Sequence, residues 1–314
     1  MLIPKARGAY SETLFTGMRA GELEAATRPP DLPESSEDLH IALWAMYELH
    51  YRGFEDVSPG LEWHPDLLRT RIELEQAFEL TLRGRFSPTA CAGDFASDFF
   101  DFVANHEGAS LSPYVQRDAN RDEVLDLLRA KSIYHLKESD PSAWVVARLP
   151  VVAKAALVEL LYDEYGGGDP NRVHSHLFAQ GLTASGLTST YGAYIDDASL
   201  EVLEDNNAMS LFGLNRRLRA AAVGHLAAFE ATSSMPSRRM AQGLSRLGFP
   251  PEMVHYYEEH VEADAVHEQL AVRGVCGSLV ASEPELREEV FFGAFTCLDL
   301  GARFATSMLA QWEA

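Results

Sequence analysis

Glu258-Glu259-His260-Val261-Glu262-Ala263-Asp264-Ala265-Val266-His267 sets His, Asp and His at positions i, i+4 and i+7. At about 100° per residue, those three side chains fall within about 40° of one another on one stripe of a helix. Such a stripe is a metal-ligand face. Imidazole suits iron, zinc, copper or nickel and carboxylate suits harder ions, so a mixed His/Asp face without cysteine points first to non-haem iron, manganese or zinc. The competing reading is the solvated face of an acidic helix, since Glu258, Glu259, Glu262 and Glu268 crowd the same segment.

Outward from this stretch the pattern stays helical. Apolar residues recur at helical spacing from Asp38 to about Tyr51, from Pro65 to Leu82, and over about 122–135, 150–165, 171–184, 197–205, 208–230, 237–246, 250–273 and 284–312. Alternating strand patterns are nearly absent, so the expected fold is all-α. Phe249-Pro250-Pro251 opens the helix carrying the His/Asp/His face. Ser234-Met235-Pro236-Ser237 is expected to separate two helices, with Ser237 as an N-cap. Gly166-Gly167-Gly168-Asp169-Pro170 is expected to end one helix and cap the next. The three glycines are no phosphate loop, because neither a GK[ST] sequence nor a preceding strand accompanies them.

The 314 residues, 46% of them hydrophobic, suffice for one large core or two modest ones. No apolar run approaches the ~20 residues of a membrane helix, and the start lacks a signal-peptide pattern, so a cytoplasmic location is expected. Cys91, Cys276 and Cys297 form no CxxC and read as small core residues rather than a disulfide framework or thiolate metal site. A net charge of −21 opposes nucleic acid and anionic membranes and favours cationic small molecules and metal ions. Residues 1–36, rich in proline and polar residues, read as a loosely packed arm, and 37–119 as accessory helices packed on a core of 120–314.

Further ligands would have to come from helices in apolar surroundings. Glu230 ends Gly224-His225-Leu226-Ala227-Ala228-Phe229-Glu230, where burying it unpaired would be costly and coordination would offset the cost; otherwise it reaches water at a helix end. Glu164 stands at an expected helix C-terminus, where a carboxylate opposes the helix dipole unless a cation is near, although Asp163 or Glu159 could equally face inward. His174 and His176 are about 200° apart and cannot both face the same way. Glu138, beside Lys137 and before Asp140-Pro141, looks like an ordinary exposed helix end. His225 lies about 140° from Glu230 and reads as structural.

Together, YHLKESDPSAW (134–144), LVELLYDEYGGGDPNRVHSHLF (157–178), GHLAAFEATSSMPSRRM (224–240) and YYEEHVEADAVHE (256–268) resemble the haem-oxygenase-like diiron oxidases, also called iron-containing redox enzymes. Within that family they look most like the N-oxygenating branch, represented by the domain that builds the N-nitroso group of streptozotocin. The resemblance spans roughly 120–312. It implies a haem-free bundle of about seven helices and places the family ligands on Glu164, His174, Glu230, His260, Asp264 and His267. The extra glutamate of the N-oxygenating branch corresponds to Glu138. The family also implies that the helix of about 250–273 is poorly ordered without metal, for which mutual repulsion among its acidic residues supplies a reason. Helices before residue 120 would cover the core or mediate a homodimer.

The function implied is that of a non-haem diiron N-oxygenase. Its two Fe(II)/Fe(III) ions would activate O2, with electrons from an external donor, to oxygenate a small amine, guanidine or amino-azole in natural product biosynthesis. The rival within enzymes is oxidative C–C cleavage or decarboxylation of an amino or fatty acid. The rival outside enzymes is a metal-binding scaffold without turnover. A zinc hydrolase fits less well, because seven ligands exceed the three protein ligands such a site uses.

Overall fold

In the computed structural model the described residues are 1–21, 32–88 and 93–313, with the side chains of 262–266 left undescribed. They form α1 (Ala9–Ala20), α2 (Ser36–Glu48), α3 (Pro65–Arg85), α4 (Phe95–Ala104), α5 (Ser112–Arg117), α6 (Arg121–His135) and α7 (Asp140–Val146). There follow α8 (Val151–Glu164), α9 (His174–Ala184), α10 (Leu200–Leu214), α11 (Arg219–Arg246), α12 (Pro251–Gln269), a π-helical stretch (Leu270–Gly277), α13 (Ser278–Ser282) and α14 (Arg287–Glu313). Among the described residues there is no strand, so the fold is all-α. Nor is any helix long and apolar enough to cross a membrane.

Local chemistry sets several boundaries. Ser35 caps α2 by accepting from the Asp38 amide, and Asn120 opens α6 through a capping box whose other half is Glu123 Oε2 accepting from the Asn120 amide at 2.8 Å. The long helices then pack around three apolar clusters. The first joins α1, α2 and α3 to α10 and to Phe292 and Leu300 of α14. A second lies between α8, α11, the π-helical stretch and α14. The third unites α6, α9 and α12 with the start of α5 and the end of α14.

Four expectations are corrected here. The segment read as a loose arm contains α1, whose Tyr10, Leu14, Phe15 and Met18 are buried in the first cluster. The break expected at Ser234–Ser237 does not occur: α11 runs through Pro236. Proline removes the hydrogen bond to the Thr232 carbonyl, and the Thr232 and Ser233 hydroxyls, bonded back to the Ala228 and Phe229 carbonyls at 2.7 Å each, do not replace it; packing against α12 and α14 holds the helix together. The break falls instead at Asn215, whose extended backbone separates α10 from α11, so 208–230 is not one helix. Helix α9 likewise begins at His174 and not at Asp169-Pro170, which form a turn in which the Asn171 amide bonds Asp169 Oδ1.

Candidate metal centre

Four helices and one strap converge between the second and third clusters. Helix α8 ends at Glu164, and the chain reverses immediately through Gly166, which has φ +75° and sits so close to the Arg172 and Val173 backbone that a Cβ would meet both at 2.7 Å. Only glycine fits there, and the reversal lays His174 over Glu164. Helices α9 and α12 then pack closely at Gly181, where a Cβ would stand 2.9 Å from Met253 Cα. Seven residues away on each helix, in antiparallel register, the His174 and His260 rings meet with centroids 4.6 Å apart.

Two groups of buried ligand atoms result: Glu138, His174 and His260 in one, Glu164, Glu230 and His267 in the other, the atoms of each lying within 4.8 Å of one another. Glu164 joins them. Its Oε2 lies 3.1 Å from His174 Nδ1 and its Oε1 3.5 Å from His267 Nδ1, while Glu230 Oε2 lies 3.6 Å from the same His267 nitrogen. His260 Nε2 faces Glu138 Oε1 at 3.7 Å. Of the seven residues singled out from sequence, six are thus brought together. Asp264 falls on the same stripe of α12 as His260 and His267, but its side chain lies outside the described residues.

The donor set fits metal ions. His174 Nδ1, His260 Nε2 and His267 Nδ1 are all buried without a hydrogen-bond partner, although carboxylate oxygens stand close by. A bare imidazole nitrogen in an anionic pocket is costly unless a cation or proton lies between. The opposite nitrogens of two rings are fixed: His260 Nδ1 donates to the Tyr256 carbonyl at 2.7 Å, and His267 Nε2 pairs with Asp163 Oδ2 at 2.8 Å. This is how metal-binding imidazoles are usually oriented.

The strap 136–139 corrects the reading of an exposed helix end. Lys137 and Glu138 are 2% and 5% exposed. Ser139 has φ +70°, the one left-handed non-glycine among the described residues, and its hydroxyl donates to Glu164 Oε2 at 2.9 Å. Strain of this kind, about 1–3 kcal/mol, persists where surrounding contacts over-determine it. Glu138 accepts from Tyr256 Oη at 2.8 and 3.1 Å and lies 3.2 Å from His135 Nδ1. Tyr256, His135 and Ser139 were missed in the sequence reading. Tyr256 was within reach of it, being one turn before His260 on the ligand stripe, whereas nothing local marks His135 or Ser139.

Asp163, Glu164, His174 and His176 separate cleanly in space. Glu164 and His174 are buried, whereas Asp163 is half-exposed and serves His267, and His176 faces outward against Gln180. His225 is buried among other contacts, 3.8 Å from Asp205.

Burial opposes charge on His260, but Glu138 and Glu164 more than offset it and push the imidazole up to about 10. His267 is pushed up to about 9 against the same penalty, chiefly by Glu230. Burial alone would raise Glu138, yet His135 and His260 hold it well below the carboxylate range, while burial raises Glu230. Without metal, both imidazoles are therefore cationic near neutral pH, and their stabilising contribution is complete below the ordinary histidine value of about 6.5. That contribution is lost as pH rises through about 9 and 10. A metal ion at these nitrogens would displace those protons, and His174 and Glu230 are shifted upward as well, so ferrous binding at pH 7 is expected to release at least about two protons and to tighten with rising pH. Proton release measured during an anaerobic titration checks this; release near zero would place neutral imidazoles in the iron-free site.

Comparison with known families gives one match: a family model described as "Iron-containing redox enzyme" covers residues 125–302, more than half of the chain. No curated protein matches the chain.

Proposed function

This chain belongs to the iron-containing redox enzymes, and we propose that it is a non-haem diiron oxygenase that uses O2 to oxygenate nitrogen on a small amine, guanidine or amino-azole. The observation that carries the two-metal reading is Glu164, whose two oxygens face histidines of two different ligand groups. Glu138, His174 and His260 would hold one iron, Glu230 and His267 the other, with Glu164 between them and Asp264 added by its place on the stripe.

Bound iron supplies the electrons and the O2-binding position that side chains lack, an external donor restoring the ferrous state. The chain's own residues hold and enclose. Tyr256 and His135 fix Glu138, Ser139 fixes Glu164, and the Tyr256 carbonyl and Asp163 fix the far sides of two imidazoles. A cavity of about 150 Å³ touches Glu138, Tyr256, Tyr257 and His260, with Phe229 and Met240 as its apolar side. It offers room for a small substrate next to the ligands.

The resemblance to the N-oxygenating branch rests on Glu138, and its burial among ligands supports that choice. A competing reading, oxidative C–C cleavage or decarboxylation, draws support from Lys131 in the same cavity, since an ammonium there suits a carboxylate. A product screen with amines against carboxylic acids separates the two.

The test of the metal reading is an anaerobic ferrous titration followed by rapid mixing with O2 under visible spectroscopy. Two irons per chain and a transient absorption on mixing are expected; failure to bind iron, or iron inert to O2, would leave a scaffold without turnover. Glu138→Ala is expected to weaken one of the two sites by on the order of tenfold to a hundredfold. Unchanged iron stoichiometry and an unchanged optical transient would remove Glu138 from the ligand set.

A further inference from the structure

The cavity of about 150 Å³ at Glu138 and His260 shares Lys131, His135, Phe229 and Met240 with a larger one of about 420 Å³, which reaches the exposed turn at 108–110 and is also lined by Asp205. The two cavities therefore lead from the surface to the candidate metal centre, and Lys131 stands where they meet.

Lys131 is the only lysine or arginine among the described residues lining either cavity. Its Nζ lies 3.4 Å from His135 Nε2, and among the described residues no carboxylate comes within ion-pair distance of it. His135 Nδ1 lies 3.2 Å from Glu138 Oε1, so a single imidazole separates the ammonium from a candidate ligand. Lys131 is only half-buried, so a molecule in the passage can touch it. Burial pushes the ammonium down, while Glu138 and Asp205, beyond ion-pair reach, pull it back up.

An ammonium in a low-dielectric cavity is costly until a counter-charge arrives. Glu138 gives it little such support once its own charge is committed to a metal ion. A carboxylate brought by the substrate does. Placed on Lys131, it leaves the rest of a short molecule to pass Phe229 and Met240 and bring its nitrogen to Glu138 and His260. The reverse placement sets the carboxylate beside Glu138 and leaves Lys131 unpaired. We propose that Lys131 is a specificity-determining residue that holds the substrate's carboxylate, and that the substrate is an amino or guanidino acid with a short apolar stem. The nitrogen's role rests on the proposed function, whereas the carboxylate contact stands without it.

The experiment is anaerobic calorimetry on the full chain, iron-free and ferrous, with guanidinobutanoate and the terminal amino acids from aminopropanoate to aminohexanoate as probes, each against its own carboxamide. At least one acid is expected to bind about tenfold to a hundredfold more tightly than its carboxamide, as a charge-assisted contact requires. Lys131→Met should reduce that acid to the affinity of its carboxamide and leave the carboxamide unchanged, and Lys131→Arg should retain a preference for the acid. On the ferrous chain the same acid should shift the ligand-field bands in circular dichroism. No binding by any probe, equal affinity for acid and carboxamide, equal weakening of both by Lys131→Met, or ferrous bands that stay unshifted would overturn the proposal. An acid that binds through Lys131 and shifts the bands, yet emerges from reaction with O2 without oxygen on its nitrogen, would keep this assignment and overturn the N-oxygenation reading instead.

Discussion

Replacing Glu230 by alanine is expected to abolish the two-iron spectrum and leave at most one iron per chain. Glu230 stands in α11 among Leu226, Ala227 and Ala228, is 4% exposed, and faces His267 at 3.6 Å. No water-filled surface is at hand to replace its carboxylate, so its loss removes a ligand outright. If a site of four ligands is worth about 10–16 kcal/mol, each ligand carries about 3 kcal/mol, or on the order of a hundredfold or more in affinity. The iron-free variant is expected to be less stable than the parent near neutral pH, because the His267 imidazole that Glu230 chiefly holds cationic loses its buried partner and the deleted side chain leaves a cavity. Iron stoichiometry and thermal unfolding of the same preparation read the two effects separately. A variant with two irons and full turnover would remove Glu230 from the centre.

The second large effect is expected away from the ligands. Lys137 lies fully buried with its Nζ 3.4 Å from Glu48 Oε2 and 4.5 Å from the centre of the Tyr51 ring. Glu48 also accepts from Tyr191 Oη at 2.8 Å, and Arg52 donates to the Leu136 carbonyl at 2.9 Å. The end of α2 and the turn after it therefore hold the strap that carries Glu138 and Ser139. Lys137→Ala leaves Glu48 buried without its cation and is expected to destabilise the iron-free chain by about 3–5 kcal/mol. The paired replacement Lys137→Met with Glu48→Leu should recover most of that loss, since an apolar pair of similar volume removes both charges. Denaturant midpoints for the single and double variants check this; a single variant within about 0.5 kcal/mol of the parent would show that the pair does not anchor the strap.

Much of the architecture was legible because helical periodicity is local. The patterns at Asp38–Tyr51, Pro65–Leu82 and 122–135 correspond to α2, α3 and α6. Pro236 misled for the same reason: its effect within one turn is to break a helix, and the forces that overrule it come from α12 and α14, remote in sequence. Lys137 and Glu138 misled in the opposite way, since two adjacent charges before Asp-Pro carry no mark of the Glu48 and Tyr256 side chains that bury them.

The sequence by itself determined that the chain is all-α, that one stripe of α12 carries His260, Asp264 and His267, and that a carboxylate stands in apolar helical surroundings at 230. Each of these depends on spacing along a single helix, which the peptide geometry dictates. Only the tertiary structure decided that Glu164 and not Asp163 is buried beside His174, that Glu138 lies inside, and that Lys131 and Asp205 face one cavity. Those facts depend on how helices cross, and crossings are set by close approaches such as Gly181 on Met253 and reversals such as Gly166, whose consequences appear only once distant segments are packed together.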